Sequence, residues 1–403
     1  MKLLVFFPSF DRGGCEEYSL SLAIKALEIG WRVEVCFPQT SRTRSLRTDF
    51  EQRNISCHNW QPESYSGMGS WGTYSSQIEE ANLRLAYIKP DAVLAALPWP
   101  DSALGFIVVC GTRMIPTLVV FQNCSETVEV DKSIVDDCNL ARRRKQTWVA
   151  VSQHNRHHIA ATFKMPIADI RVIFNGVNSS SNCLFQTEME REAVRFGLRE
   201  ELRLPQSALI GLTVARLVQE KGYLELLTVA PVIAKRFPGV YFLWAGMGIR
   251  KDEARFLEMV QEANLQNRVL LLGFRSDIKR LLCSADLFVF PSHQEGMSFA
   301  LIEAMTHGCP IVASDRTSIP ECIRHGKEGL LFPIENVDRF TDILAFALRY
   351  PKTMNKLANK ARSKAKLFTA ERMYSATFSA LVELTGGIVT TTETGDSPIP
   401  LSR

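Results

Sequence analysis

The sequence predicts an α/β protein of two domains, each built on a parallel sheet. Three observations predict this class. The chain has 403 residues, more than one hydrophobic core usually holds. In both halves, short apolar segments alternate with helical stretches, which is the pattern of successive βαβ units. Between the halves lies a polar, charged stretch without a strand signal, so two separate sheets are expected.

The first half contains strand-like segments separated by helical ones, namely LLVFF, VEVCF, AVLAAL, TLVVF, WVAVS and IRVIF. A helix is expected after the first of them, from Glu16 to Gly30. These segments predict a Rossmann-like domain over residues 1–180, followed by a linker with a short helix over 181–203. The loops from Ser41 to Gln77 carry no interpretable pattern.

The second half resumes the alternation with LIGLTVAR, VYFLWAG, RVLLLG, LFVFPS and PIVAS. These segments predict a second Rossmann-like domain over residues 204–385. From 386 to 403 the chain is polar and contains prolines, so this tail is predicted to be disordered.

Composition excludes several classes of protein. Hydrophobic residues make up 46% and charged residues 22% of the chain, as in ordinary folded proteins. No apolar run approaches the roughly 20 residues of a membrane-spanning helix, and the N-terminal strand-like segment enters a glycine turn instead of a cleavage site. We therefore expect a cytoplasmic protein. The net charge of +4 does not indicate nucleic acid binding, and ten scattered cysteines predict reduced thiols and no metal site.

One local basic run stands out, from Arg142 to Lys145. Such a run could attract anionic lipid or an anionic acceptor. A solvated helix face is the preferred interpretation.

Near the N-terminus, the first strand runs into Gly13 and Gly14 and then into a helix that opens with Glu16. Paired glycines let backbone amides approach a ligand, and a helix N-terminus favours an anion. A tight connection between strand and helix is the alternative interpretation.

A second segment, HQEGMSFALIEAM, follows the apolar strand LFVFPS. Ser298 is a good N-cap and Gly308 a good helix stop, which predicts a short helix from Phe299 to His307. This helix would begin beside Glu295 at the carboxyl end of the sheet.

That edge is where open α/β folds bind ligands. A diphosphate could rest on the free amides of Met297, Ser298 and Phe299. Glu303 would then accept hydrogen bonds from a ribose diol, and Glu295 from a sugar. The alternative is an ordinary capped helix with exposed acids.

Two cations follow the strand LIGLTVA, namely Arg216 and Lys221. Cations at this edge can clamp a diphosphate and stabilise the charge that develops when a glycosidic bond breaks. Surface Arg and Lys side chains in a loop are the alternative.

Together these features resemble the retaining GT-B glycosyltransferases of family 4, the glycosyl transferases group 1. The resemblance extends from Lys2 to about Leu384. Each motif alone is weak, whereas seven in register are specific. The motifs are Gly13-Gly14-Cys15-Glu16, Val151-Ser152, Asn175-Gly176-Val177, Arg216 with Lys221-Gly222, Ala245-Gly246-Met247-Gly248, Gly273-Phe274 and Glu295 through Glu303.

The resemblance implies a GT-B fold, in which two Rossmann-like domains face each other across a cleft and the last helix crosses back to the N-terminal domain. In such a fold the N-terminal domain is expected to bind the acceptor and the C-terminal domain the nucleotide sugar. It implies transfer of a hexose or N-acetylhexosamine from a UDP- or GDP-sugar, with retention at the anomeric carbon and without metal or cofactor. The implied acceptor is a glycan or lipid-linked glycan of surface polysaccharide synthesis. Peripheral contact with an anionic membrane is a further expectation.

The resemblance also implies roles for single residues. Arg216 and Lys221 are expected to bind the diphosphate and Glu295 the transferred sugar, and these three are the expected catalytic residues. Glu303 is expected to bind the ribose, and Arg275 to lie near the base. The remaining donor-binding residues expected are Gly14, Gly246, Gly296, Met297 and Ser298.

The chain departs from the family pattern at two places. Many relatives carry a His at the position of Gln122. Gln122 or Asn123 can hydrogen-bond to a sugar but cannot act as an acid or base at neutral pH. In the segment Thr317 to Glu321, relatives often have glycines before the Pro-Glu pair, so a local turn adjustment is expected.

Two other functions remain open at this point. A non-catalytic nucleotide-sugar-binding regulatory subunit would share the site, and the missing His at Gln122 agrees with it. A GT-B-shaped epimerase would share the fold, although it lacks the combination of Arg216, Lys221 and Glu295.

Overall fold

The computed structural model describes residues 1–62, 73–124, 128–178 and 187–387. Residues 388–403 of the predicted tail and 181–186 of the predicted linker lie outside the described residues. So does part of the loop region from 41 to 77.

The N-terminal half forms a sheet with helices on both faces. Its strands are β1 (Lys2–Phe6), β2 (Arg32–Phe37), β3 (Ser56–Asn59), β4 (Ala92–Leu97), β5 (Thr117–Phe121), β6 (Gln146–Ala150) and β7 (Ile170–Val172). Its helices are α1 (Gly14–Glu28), α2 (Arg44–Glu51), α3 (Tyr74–Ile88), α4 (Leu104–Thr112), α5 (Lys132–Arg142) and α6 (Gln153–Thr162).

The C-terminal half forms the second sheet. Its strands are β8 (Leu209–Val214), β9 (Val240–Ala245), β10 (Val269–Gly273), β11 (Leu287–Phe290), β12 (Ile311–Ser314) and β13 (Leu330–Phe332). The helices of this half are α7 (Glu188–Glu201), α8 (Tyr223–Arg236), α9 (Arg250–Glu262), α10 (Ile278–Ser284), α11 (Phe299–Thr306), α12 (Ile319–Cys322), α13 (Val337–Arg349), α14 (Pro351–Ala365) and α15 (Ala370–Leu384).

Both sheets have the Rossmann strand order, β3-β2-β1-β4-β5-β6-β7 and β10-β9-β8-β11-β12-β13, with parallel neighbours. The predicted fold class is therefore confirmed. In each sheet the strand order reverses once, between β1 and β4 and between β8 and β11. Ligands of open α/β sheets bind beyond the carboxyl ends of the strands at such a reversal.

The central strands of each sheet are largely apolar because helices cover both faces. Strand β4, AVLAAL, is buried at every position. Caps predicted from the sequence set the helix ends. Ser298 accepts a hydrogen bond from the amide of Leu301 and begins α11, while Gly308 follows that helix with φ +65°.

The last helix returns to the N-terminal half. Val177 and Thr369 form a β-bridge just before α15, and a Cβ on Gly176 would lie 2.1 Å from the Thr369 carbonyl oxygen. Further along α15, the ring of Phe378 contacts Trp31 edge-on at 5.1 Å. The chain thus crosses between the halves twice.

A second contact joins the two halves beside α6. Both carboxylate oxygens of Glu321, on α12, accept hydrogen bonds from the amides of Gln153 and His154, at 2.9 and 2.8 Å. These amides belong to the first turn of α6 and have no partner inside the helix. A carboxylate from one half therefore caps a helix of the other.

Candidate functional site at the cleft between the two sheets

Adjacent strands β8 and β11 bring the two C-terminal motifs together. Lys221 follows β8 and Glu295 follows β11, and their side chains form an ion pair with Nζ and Oε1 2.6 Å apart. Lys221 Nζ also donates to the carbonyl oxygen of Gln294, at 3.0 Å. Both charged side chains are at most 15% exposed, so the pair is shielded from solvent.

Glu295 is fixed by three further hydrogen bonds. Its Oε1 accepts from Ser292 Oγ at 2.7 Å, and its carbonyl oxygen accepts from Ser318 Oγ at 3.1 Å. Its amide donates to Thr317 Oγ1 at 3.0 Å. Among the described residues, no group donates to Oε2. One carboxylate oxygen is therefore held by the protein, and the other is available to a ligand.

Thr317 adopts a left-handed conformation, with φ 51°. A β-branched residue is strained in this conformation. At the turn where a local adjustment is expected, Thr317 is strained, and its hydroxyl accepts a hydrogen bond from the Glu295 amide. Strain of this kind persists where the surroundings enforce it, as in functional sites.

We predict that Thr317→Val lowers turnover roughly three- to ten-fold, the worth of one hydrogen bond of about 0.5–1.5 kcal/mol. Donor affinity should change little, because Thr317 positions Glu295 and does not reach the nucleotide motifs. Steady-state kinetics and donor titration measure the two effects. Thr317→Ser keeps the hydroxyl and should restore turnover. Equal turnover of the Val and Ser variants would contradict the positioning role.

The N-terminus of α11 faces the N-terminal half. The amides of Met297, Ser298 and Phe299 donate to no group in the described ranges, which agrees with the predicted free amides. A Cβ on Gly14, the first residue of α1, would lie 3.5 Å from the Phe299 ring. Two helix N-termini, of α1 and α11, therefore converge on the cleft, where they favour an anion.

Glu303 lies on α11 and is half-buried. Burial, and to a smaller degree the nearby carboxylate of Glu17, raise the pKa of Glu303 to about 7. Its carboxyl group makes no hydrogen bond or ion pair with any described residue. A half-buried acid without a partner is available to accept hydrogen bonds from a ligand.

This pKa predicts a pH dependence of donor affinity. Glu303 is largely protonated below about pH 7, and only the ionised form accepts hydrogen bonds at both oxygens. Affinity for an intact UDP-sugar should therefore rise as pH increases from about 6 to about 8. The intact donor is required because a terminal phosphate itself titrates near pH 6.

Two variants sharpen this prediction. In Glu303→Gln the pH dependence should disappear, and affinity at high pH should fall roughly ten- to hundred-fold. Glu17→Gln removes the neighbouring carboxylate and should move the midpoint to lower pH. Calorimetric titration of the donor from about pH 6 to about pH 8 measures these effects. A Glu303→Gln variant with wild-type affinity at every pH would refute the assignment of Glu303 to donor binding.

The N-terminal half contributes a carboxyl group that sequence reasoning did not select. Glu16 is 4% exposed, and burial raises its pKa. A Cβ on Gly13 would lie 3.3 Å from Glu16 Oε2 and 3.7 Å from Cδ of Arg216. Glu16 thus lies beside the exposed Arg216, across the cleft. Its only sequence signal was its place after the glycine pair.

Across the cleft floor, Gln122 and Asn175 meet the loop before α11. Asn175 Nδ2 donates to Gln122 Oε1 and to the carbonyl oxygen of Met297, both at 3.1 Å. Gln122 is 8% exposed, and its Nε2 has no partner among the described groups. A Cβ on Gly296 would lie 1.8 Å from the Gln122 carbonyl oxygen, so only glycine fits. Asn123 is the next residue of this floor.

The predicted residues differ in how directly their side chains reach the cleft. Arg216 is exposed and makes no bond with a described residue. Arg275, by contrast, forms a two-bond ion pair with Asp277 and a third bond to Glu201, each at 2.7 Å. Gly246 packs against β8, where a Cβ would lie 1.8 Å from the Ala215 carbonyl oxygen. Arg275 therefore reaches a nucleotide base only by leaving its carboxylates.

Within the described ranges, no three His, Cys, Asp or Glu side chains are grouped so that they could hold a metal ion. None of the helices seen in these ranges combines the length and apolar character that crossing a bilayer requires.

Part of the chain is similar to a known protein family. Residues 195–364 match the family described as Glycosyl transferases group 1. That segment contains the loops after β8 and β11 with Arg216, Lys221, Glu295 and Glu303. The C-terminal half of the site therefore lies within the matched region.

Two curated relatives align with part of the chain. The amylovoran biosynthesis glycosyltransferase AmsK of Erwinia amylovora is 33% identical over 166 residues, covering 39% of this chain and 40% of that protein. The UDP-Gal:alpha-D-GlcNAc-diphosphoundecaprenol alpha-1,3-galactosyltransferase of Escherichia coli is 29% identical over 199 residues, covering 48% and 49%. The chain thus spans about half or less of the length of these relatives.

A solved structure shares the whole architecture. Anabaena HepE, crystallised in complex with UDP-glucose, has a TM-score of 0.78 at 20% identity, and the match covers 95% of this chain and 100% of that chain. This likeness agrees with the GT-B arrangement of two Rossmann-like domains.

Proposed function

We propose that the chain is a retaining, metal-independent glycosyltransferase. It moves a hexose or N-acetylhexosamine from a UDP- or GDP-sugar to a glycan or lipid-linked acceptor, in the synthesis of a surface polysaccharide. The observation that carries the proposal is the shielded Lys221–Glu295 pair beside the free amides of α11, at the strand-order reversal. The names of the curated relatives support the same class of reaction.

Each site residue has a separate role in the proposed reaction. Arg216, Lys221 and the α11 amides stabilise the negative charge that grows on the diphosphate as the glycosidic bond breaks. Glu295 Oε2 accepts a hydroxyl of the transferred sugar, and Glu303 accepts the ribose diol. Gln122 cannot remove a proton, so the acceptor proton passes to the departing phosphate oxygen.

Gln122 has a role on the sugar side of the cleft. Its buried Nε2 lacks a partner in the described part of the chain, and leaving such a donor unpaired costs about 1–3 kcal/mol. A sugar hydroxyl would satisfy it. Asn123, which follows it, is proposed to contact the acceptor.

A donor screen tests the proposal. UDP-glucose, UDP-galactose, UDP-N-acetylglucosamine and GDP-mannose are compared by thermal unfolding, since a ligand at a hundred-fold excess over its Kd stabilises the protein by about 2.7 kcal/mol. Nucleotide release is then measured with the stabilising donor, with and without acceptor glycans. Binding without release would favour the non-catalytic regulatory subunit, and NMR of the product reports whether the anomeric configuration is retained.

Chelation provides a further prediction. Because protein cations and amides neutralise the diphosphate in this proposal, nucleotide release should be unchanged in excess EDTA. The control is a metal-dependent transferase in the same buffer. Activity that disappears with EDTA and returns with Mg²⁺ or Mn²⁺ would show that the reaction needs a metal.

A further inference from the structure

A cavity lined by polar residues lies beside the cleft in the N-terminal half. It has a volume of about 300 Å³ and occupies the turn between β2 and α2, at the carboxyl edge of the sheet. We call it the Arg44 pocket. It is lined by Gln39, Thr40, Ser41, Thr43, Arg44 and Arg47.

The Arg44 pocket is tied to the loop that borders the donor site. Thr40 Oγ1 donates to the Phe10 carbonyl oxygen at 3.1 Å, and Arg12 donates to Ser45 Oγ at 3.2 Å. The same loop continues to Gly13, where a Cβ would lie 3.7 Å from Arg216 Cδ. The pocket is therefore one loop away from the proposed diphosphate site, on the side expected to hold the acceptor.

The pocket carries positive charge that no described residue neutralises. The neighbouring Arg12 and Arg42 are each paired with carboxylates, and Arg47 is paired with Glu51 at 2.6 Å. The guanidinium of Arg44 makes no bond with any described residue. Arg44 therefore presents to the cavity a positive charge that has no partner among the described side chains.

The lining suits a multi-oxygen anion. Every lining side chain is polar, and none is a carboxylate. The hydroxyls of Thr40 and Thr43 already donate to protein carbonyl oxygens. The lining side chains that donate to no described group are those of Gln39, Ser41 and Arg44. Arg44 also begins α2, so the helix N-terminus adds amide donors on the same side. Guanidinium groups bind phosphate oxygens through paired hydrogen bonds.

We propose that the Arg44 pocket binds a phosphate group of the acceptor, held by Arg44 with support from Arg47. The acceptor is accordingly a phosphorylated glycan or a polyprenyl diphosphate-linked sugar. This inference rests on the proposed function and specifies its acceptor. A pocket without apolar side chains takes the phosphate alone, so a lipid tail lies outside it.

The test uses inorganic pyrophosphate as the probe, with UDP or GDP, whichever the protein binds, at saturation so that the donor site is filled. Calorimetry should show pyrophosphate binding to the wild type, weakened roughly ten- to hundred-fold in Arg44→Gln. The matched control is Arg53→Gln. Arg53 is an exposed arginine outside the pocket, and its side chain donates to the Asp49 carbonyl oxygen at 2.7 Å. Affinity for the nucleotide should be equal in all three proteins.

Two further arms separate the sources of the phosphate. Glucose 1-phosphate represents a soluble phosphorylated sugar, and phosphatidylcholine vesicles carrying a polyprenyl diphosphate sugar represent a lipid-linked one. If Arg44→Gln loses binding of either ligand, the result supports the Arg44 pocket and identifies the source of the phosphate. Glucuronate that binds as well as glucose 1-phosphate would overturn the assignment to phosphate.

Failure of this inference is distinct from failure of the proposed function. If the nucleotide binds but pyrophosphate does not, or if Arg44→Gln behaves like Arg53→Gln, the Arg44 pocket is not a phosphate site. If neither UDP nor GDP binds the wild type, the proposed function fails, whereas the comparison of the two arginine variants still decides the pocket.

Discussion

Replacing Glu295 by Gln is expected to lower turnover roughly ten- to hundred-fold, because a charge-assisted hydrogen bond contributes about 1.5–3 kcal/mol. The loss should fall on turnover more than on donor affinity. Glu295 is proposed to touch the transferred sugar, and its hydrogen bonds tighten as positive charge develops at the anomeric carbon. The assay is nucleotide release under steady-state conditions, with donor affinity measured separately.

The same substitution leaves Lys221 without its anionic partner. Breaking a fully buried ion pair costs about 3–5 kcal/mol, which is an upper bound for side chains that retain some exposure. Melting must therefore be recorded beside the kinetics. Glu220→Gln is the matched control, since it removes the same charge from an exposed position one residue before Lys221.

A folded Glu295→Gln protein with wild-type turnover would exclude Glu295 from the reaction. The segment around α11 would then be an ordinary capped helix. Reduced turnover in Glu220→Gln as well would indicate a general effect of loop charge.

The second large effect is expected from Gly296→Ala. The added Cβ would lie 1.8 Å from the carbonyl oxygen of Gln122, far inside van der Waals contact, so the two halves must move apart. A displacement of about 1 Å between reacting groups can lower a rate about hundred-fold. Turnover should fall by about that factor, whereas UDP affinity should be largely kept because Arg216, Lys221 and Glu303 belong to one half.

The control for this variant is Gly197→Ala. Gly197 lies in α7, where the nearest atom to an added Cβ is Arg280 Nη2 at 3.9 Å. The same chemical change there should leave turnover intact and stabilise the helix by up to about 1 kcal/mol. If Gly296→Ala keeps full turnover, the close approach of the two halves at this point is not needed for the reaction.

Local signals in the sequence predicted much of the fold. The alternation of apolar and helical segments predicted both sheets, and Ser298 and Gly308 placed α11 to within a residue. The helix expected from Glu16 to Gly30 is observed as Gly14–Glu28. These features depend on neighbours in sequence, so they are visible without a structure.

The contacts between the two halves could not be predicted. Asn175 bonds Met297, 122 residues away, and Glu321 caps a helix whose amides lie 167 and 168 residues before it. Such pairs form only when two domains pack, and no local pattern specifies them. The same holds for the ion pairs of Arg275, whose chain position gave no sign of its partner Glu201.

The backbone strain at Thr317 could not be predicted from the sequence either. The sequence indicated that the turn at Thr317 departs from the family pattern, but not that a β-branched residue adopts a left-handed conformation there. The structure gives the reason for this conformation, because the Thr317 hydroxyl accepts a hydrogen bond from the amide of Glu295.

The central claim is that a nucleotide diphosphate sugar binds at the reversal of strand order in the C-terminal half. A crystal structure of the protein with the UDP- or GDP-sugar that most raises its melting temperature tests this most directly. We expect the diphosphate on Arg216, Lys221 and the amides of α11, with the ribose on Glu303 and the sugar on Glu295. A donor bound elsewhere, with these groups in the arrangement described above, would contradict the account.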